Sequence, residues 1–134
     1  MRIAAIIAAM MSKKDADGRP APPIGQISAL DAHENLVAGE LLLIDVRQPS
    51  ERAATGAPEG AEHASLRDRD FLQQVARLAG DFERPVAFIS ERGQRSMQAA
   101  MQARAAGFVH LFSVTGGYRG EGGWIARGLP AVAG

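Results

Sequence analysis

Seven consecutive residues hold most of the reactive character of this 134-residue chain: Ser90-Glu91-Arg92-Gly93-Gln94-Arg95-Ser96. They offer hydroxyls, two guanidinium groups and a glycine that can turn the backbone sharply. Upstream, Pro85-Val86-Ala87-Phe88-Ile89 reads as a buried strand. Downstream, the pattern is helical from Ser96 to Ala106, and Gly107 closes it. A strand, a tight turn and a helix N-terminus are the parts of an anion cradle. Loop N–H groups can point inward, and the first helical turn adds N–H groups that no carbonyl claims. Arg95 stands where its planar fork could reach the same anion, with Arg92 nearby on the loop. Ser90 is the candidate nucleophile at the strand end, and a serine nucleophile needs an adjacent base. The candidates are His33, expected on a helix surface, His63, in a short strand segment, and His110, in the core or edge of the last strand. None belongs to a Gly-x-Ser-x-Gly elbow. Their dispersal lacks the paired spacing of a metal site, so no metal and no cofactor is expected.

The elements that must position this loop alternate in type. Gln26-Ile27-Ser28 suits a short strand, and Ser28 caps a helix running to Ala38, with Asp31 as the capping acid and Gly39 as its stop. Leu41 to Asp45 is apolar up to its last residue, as befits a strand covered on both faces. Pro49 opens a short helix whose N-terminus Ser50 and Glu51 can satisfy. A turn over 56–61 leads to a short strand over 61–66. Asp70 to Ala79 reads as a helix with Phe71, Leu72, Val75 and Leu78 inward, ended by Gly80. Val109 to Val114 is the last strand, followed by a turn at Gly116-Gly117 and a short helix around Trp124. This alternation predicts an α/β fold, a three-layer α/β/α arrangement on a five-stranded parallel sheet with right-handed crossovers. Ligands in such sheets bind outside the carboxyl ends of the strands. Asp45 and Ser90 both end strands and are expected to share that edge.

The loop resembles the active-site loop of the rhodanese family of sulfurtransferases, in which a strand ends in cysteine and Cys-x-x-Gly-x-Arg-Ser/Thr runs into a helix. Serine stands here in the cysteine position. The likeness continues at Asp45-Val46-Arg47, Pro49 and Glu51, where the family carries Asp-x-Arg, then proline and glutamate. It is similar again at Gly56-Ala57-Pro58-Glu59-Gly60-Ala61, with Ala57 and Pro58 as departures, and at Gly116-Gly117, Trp124 and Gly128-Leu129-Pro130. It spans about Ile24 to Val132 in the family's order. The resemblance implies that Asp45, Arg47 and Glu51 pin the loops bordering the site. It also implies a small anion as ligand: thiosulfate, sulfate or a phosphate-like group. Between Ser90 and Arg95 lie Glu91, Arg92, Gly93 and Gln94, the shorter sulfur-type loop; related phosphatases use one residue more. Glu91 brings a negative charge that should point out of the loop, since a carboxylate buried beside an anion is costly.

The family's chemistry moves sulfane sulfur through a cysteine persulfide and needs a thiolate. A hydroxyl forms no persulfide, and the chain has no cysteine at all. Three readings follow. The chain is a non-catalytic rhodanese-like module that acts through anion or regulatory binding, or a sulfurtransferase whose cysteine was changed to Ser90, or a different enzyme of this fold that uses Ser90.

Composition sets the outer bounds. A length of 134 residues suits one domain, and 46% apolar residues are enough for a core. Fifteen basic residues balance fifteen acidic ones, so nucleic acid is not an expected partner, while a protein partner stays open. Residues 1–11 are apolar and too short to span a bilayer. Ile3, Ile6, Ile7, Met10 and Met11 form one helical stripe, which suits a docked helix. A weak secretory signal and a true start at Met11 are the competing readings. Residues 12–24 read as a polar, proline-rich linker and 25–134 as the rhodanese-like domain. The expected compartment is the cytoplasm, or outside the cell if residues 1–11 act as a signal.

Overall fold

Short apolar runs and helical stretches fall into the order that the alternation requires. The structure, a computed structural model, describes residues 1–11 and 23–134. In chain order its elements are α1 (Ile3–Met11), β1 (Ile24–Ile27), α2 (Ala29–Val37), β2 (Leu42–Asp45), α3 (Pro49–Thr55) and β3 (Ala57–Pro58). There follow β4 (Glu62–His63), α4 (Phe71–Ala79), β5 (Val86–Ile89), α5 (Gln94–Ala105), β6 (Leu111–Val114) and β7 (Ala131–Val132). The linker expected over 12–24 lies outside the described residues except for its last two, and Ile24 already belongs to β1.

Five strands form one sheet in the order β1-β6-β5-β2-β4, with every neighbouring pair parallel. Alternation along the strands divides the core into two layers. Leu42, Ile44, Val86, Phe88 and Leu111 face α4 and α5, where they meet Phe71, Val75, Ala99 and Ala103. Leu43, Ala87, Ile89, Phe112 and Val114 face the other way, onto Ile3, Ala29, Ala32, Tyr118 and Trp124. The three-layer α/β/α fold on a five-stranded parallel sheet is therefore the one the alternation implies.

Local departures have local causes. The strand expected over 61–66 is regular only at Glu62–His63. The segment around Trp124 is a chain of turns, not a helix. Its glycines, at 116, 117, 120, 122 and 123, favour turn conformations over a helical run. The sequence does not announce a small antiparallel ribbon, β3 on β7; past it the Glu59 N–H donates to the Pro130 carbonyl at 3.0 Å, but Pro130 has no N–H to return the bond.

The N-terminal stripe forms a helix docked on the second layer. Ile3 is buried, and its N–H donates to Asn35 Oδ1 at 2.8 Å. Asn35 Nδ2 donates to the carbonyls of Met1 and Asp31 at 2.9 and 2.8 Å, so one buried amide ties α1 to α2. Ser28 caps α2 as expected, accepting the Asp31 N–H at 3.0 Å, but the Asp31 carboxylate binds the Met1 amine at 2.6 Å. Gly25 permits the contact of α1 with β1, since a Cβ there would meet Met10 Sδ and the Phe112 ring at 2.8 Å. Among the described residues, no helix is long and apolar enough to cross a membrane.

Candidate anion-binding site

Register fixes where the chemistry sits. Asp45 lies opposite Ile89, so β2 and β5 end level and deliver Asp45 and Ser90 to one carboxyl edge. Past Ser90 the chain turns through Gly93, whose φ of 102° only glycine adopts without strain. Helix α5 then begins at Gln94, two residues before the helical pattern starts in the sequence. Ser90 is 1% exposed, and its Oγ lies at the centre of the turn. It accepts the N–H groups of Gly93 and Ser96 at 3.1 and 3.0 Å and donates to Ser96 Oγ at 3.1 Å. Ser96 Oγ in turn donates to the Gly93 carbonyl at 3.0 Å and meets Ser113 Oγ at 2.7 Å. A buried cluster of hydroxyls thus occupies the base of the loop, with every polar atom partnered.

A second turn sets the loop's polarity. Gly117 packs against the 90–92 backbone so closely that a Cβ would lie 2.5 Å from the Ser90 carbonyl oxygen. The next two N–H groups, of Tyr118 and Arg119, donate to the Ser90 and Glu91 carbonyls at 2.8 and 3.0 Å. In a planar trans peptide, N–H and C=O point in opposite directions. Pinning these carbonyls toward Tyr118 and Arg119 therefore aims the N–H groups of Glu91 and Arg92 the other way. Those of Gln94 and Arg95 open α5 and have no intrahelical acceptor. Among the described residues, none of the four donates to a protein acceptor.

Behind the loop stands an ionic frame. Arg47 and Asp45 are both fully buried, with Arg47 Nη2 at 2.9 Å from Asp45 Oδ2. Arg47 also donates to the Gly56 carbonyl at 2.7 Å and lies over the Tyr118 ring at 4.1 Å from its centroid. Tyr118 donates its hydroxyl to the Thr55 carbonyl at 2.8 Å, and burial raises its pKa. Arg52 Nε also lies 3.3 Å from Asp45 Oδ2.

Several side chains take positions other than those the sequence suggested. Arg95 does not extend its fork into the loop; both nitrogens are taken by Glu51, at 2.7 Å each. That pairing raises the Arg95 pKa and holds the Glu51 carboxyl down to about 2. Glu91 does not point out into solvent. Its carboxylate lies between Arg47 Nη1 at 3.3 Å and Arg119 Nη1 at 3.6 Å, because those cations draw it inward. Arg92 is exposed and, among the described residues, has no acidic partner.

The histidines lie apart from Ser90. His33 is half-buried, not on the surface, with its ring edge-on to Trp124 and its Nδ1 buried without a partner. His63 Nε2 is 2.8 Å from the Arg47 carbonyl and must donate there. His110 precedes β6, a strand length of about 13 Å from the carboxyl edge. The Ser90 proton goes to Ser96 and not to a base. Sequence reasoning did not single out Ser113, Tyr118 or Arg119. A serine inside Leu111-Phe112-Ser113-Val114 was the one available signal, a polar residue in an apolar run.

An α/β/α layering with an anion-type loop at the carboxyl edge defines a class, and comparison with known proteins agrees. The profile of the Rhodanese-like domain family matches residues 28–120. The chain belongs to that family. It is 34% identical over 116 residues to Thiosulfate sulfurtransferase 16, chloroplastic, of Arabidopsis thaliana, covering 80% of this chain and 92% of that one. Among solved structures it superposes on Rv0390 of M. tuberculosis with a TM-score of 0.70 and 29% identity, over 82% of this chain and 98% of the other. The polysulfide-sulfur transferase homodimer of Wolinella succinogenes gives 0.67 and 27%, over 97% and 89%.

Proposed function

We propose that this rhodanese-like domain binds a small oxyanion at the 90–96 loop and does not transfer sulfur with serine at position 90. One observation carries the reading: Ser90 Oγ is buried, holds two N–H donors and gives its proton to another hydroxyl. Nothing there can ionise it, and an oxygen nucleophile takes up no sulfane sulfur. The N–H groups around the turn and Arg92, unpartnered among the described residues, supply the attraction for an anion of the thiosulfate, sulfate or phosphate kind. The contacts of Ile3 and Met1 with Asn35 favour a docked helix over a cleaved signal for residues 1–11.

A second reading, a sulfurtransferase whose natural residue at 90 is cysteine, is supported by the same donors. A thiolate in place of the Ser90 hydroxyl would accept the Gly93 and Ser96 N–H groups, and such bonds favour the ionised form. Ser90→Cys with thiosulfate and cyanide separates the two. The thiolate attacks the sulfane sulfur, the S–S bond breaks and sulfite leaves. Cyanide then removes that sulfur as thiocyanate and regenerates the thiolate. The expected outcome is no thiocyanate above background from the serine protein, which instead binds sulfate in a calorimetric titration, and slow turnover by the variant. Turnover by the serine protein would overturn the reading.

A further inference from the structure

Glu91 occupies an unusual position. It is the residue directly after Ser90, on the loop whose N–H groups face the proposed ligand, yet it is an acid. Its carboxylate is about one-fifth exposed and is held between a buried arginine, Arg47, and a half-exposed one, Arg119. Covalent reach keeps the carboxylate within roughly 5 Å of its own N–H nitrogen. An anion on that N–H therefore lies within about 8 Å of the carboxylate, inside one Debye length at physiological salt. Asp45, Glu51 and Glu91 between them engage Arg47, Arg52, Arg95 and Arg119, so the loop's arginine-rich surroundings are largely neutralised from within. Among the described residues, Arg92 is left without an acidic partner.

We propose that Glu91 is the specificity-determining residue of this pocket, selecting singly charged oxyanions over doubly charged ones. The proposal rests on the anion-binding reading above and refines it. The physical basis is Coulombic: a fixed negative charge repels a dianion twice as strongly as a monoanion at the same place. Its effect on a dianion's dissociation constant is therefore the square of its effect on a monoanion's.

Sulfate and perchlorate, tetrahedral anions of similar size, are suitable probes when titrated calorimetrically at constant ionic strength. Glu91→Gln keeps the side-chain length, and we expect it to tighten perchlorate about threefold and sulfate about tenfold. Arg119→Gln, at a half-exposed position, carries the same test with opposite sign, weakening sulfate more than perchlorate. Equal factors for the two anions, or no change in either variant, would overturn the role of Glu91 while leaving the pocket intact. Binding of neither anion by the wild-type chain or by either variant would overturn the pocket itself, and this proposal with it.

Discussion

The back of the 90–96 loop and its open side are built on opposite electrostatic terms. At the back, cations are matched: Arg47 with Asp45 and Glu91, Arg95 with Glu51 in a two-pronged pair. On the open side, Arg92 is exposed without an acid, and the N–H groups of Glu91, Arg92, Gln94 and Arg95 have no protein acceptor among the described residues. Charge at the back is paired within the fold; charge on the open side is available to the proposed ligand. Chemically similar side chains three residues apart, Arg92 and Arg95, thus belong to different parts of the machine. What separates them is a carboxylate 44 residues away in the chain.

The sharpest way to break the back is Arg47→Ala. It leaves Asp45, fully buried, with the backbone N–H of residue 47 at 3.0 Å and one cation, Arg52 Nε at 3.3 Å, and it also empties the space above the Tyr118 ring. Removing one partner of a buried pair commonly costs about 3–5 kcal/mol, because the remaining charge is stranded in a poorly polarisable interior. A urea titration should show a loss of that size. A loss under about 1 kcal/mol would mean that Arg47 is replaceable by water and that the back is not a frame.

Arg92→Ala tests the other side. Among the described residues this exposed side chain has no hydrogen-bond or ion-pair partner, so the urea midpoint should stay where it is. Sulfate binding should weaken by about ten- to a hundredfold, the range of a charge-assisted hydrogen bond worth about 1.5–3 kcal/mol. Unchanged sulfate affinity would mean that the N–H groups suffice and that the contrast between the two sides does not concern ligands.

These contrasts also mark how far the sequence could be read. Sheet, layers and the shared edge of Asp45 and Ser90 were legible because hydrophobic period and strand–helix alternation are local signals. The loop was legible because turn glycine, strand end and helix start lie within a few residues. Arg95 was misplaced because its partner Glu51 is distant in sequence, and a loop arginine looks the same whether it faces a ligand or an acid. Glu91 was misplaced for the same reason: its expected outward turn took no account of Arg47 and Arg119. The turns around Trp124 read as a helix in the sequence because a lone tryptophan among glycines gives no usable period. His33 reads as a surface residue because nothing near it in sequence announces Trp124, whose ring it meets edge-on.

The smallest effect concerns the pair that misled the sequence reading. Hydrogen bonds from Arg95 hold the Glu51 carboxyl at about 2, against an ordinary value of 4.5. Since the folded state releases this proton more readily than the unfolded chain, the pair stabilises the fold fully above pH 4.5. The contribution drains away as pH falls toward 2. Glu51 and Arg95 are 26% and 32% exposed, so solvent screening limits the pair to about 1 kcal/mol, well below what the displacement of the carboxyl alone would suggest. Glu51→Gln isolates that share from every other carboxylate. Urea midpoints of wild type and variant should differ at pH 7, and the gap should narrow steadily between pH 4.5 and 2.5. A gap independent of pH would assign the stabilisation to packing of the side chains and not to charge, and Arg95 would then be free to serve the open side after all.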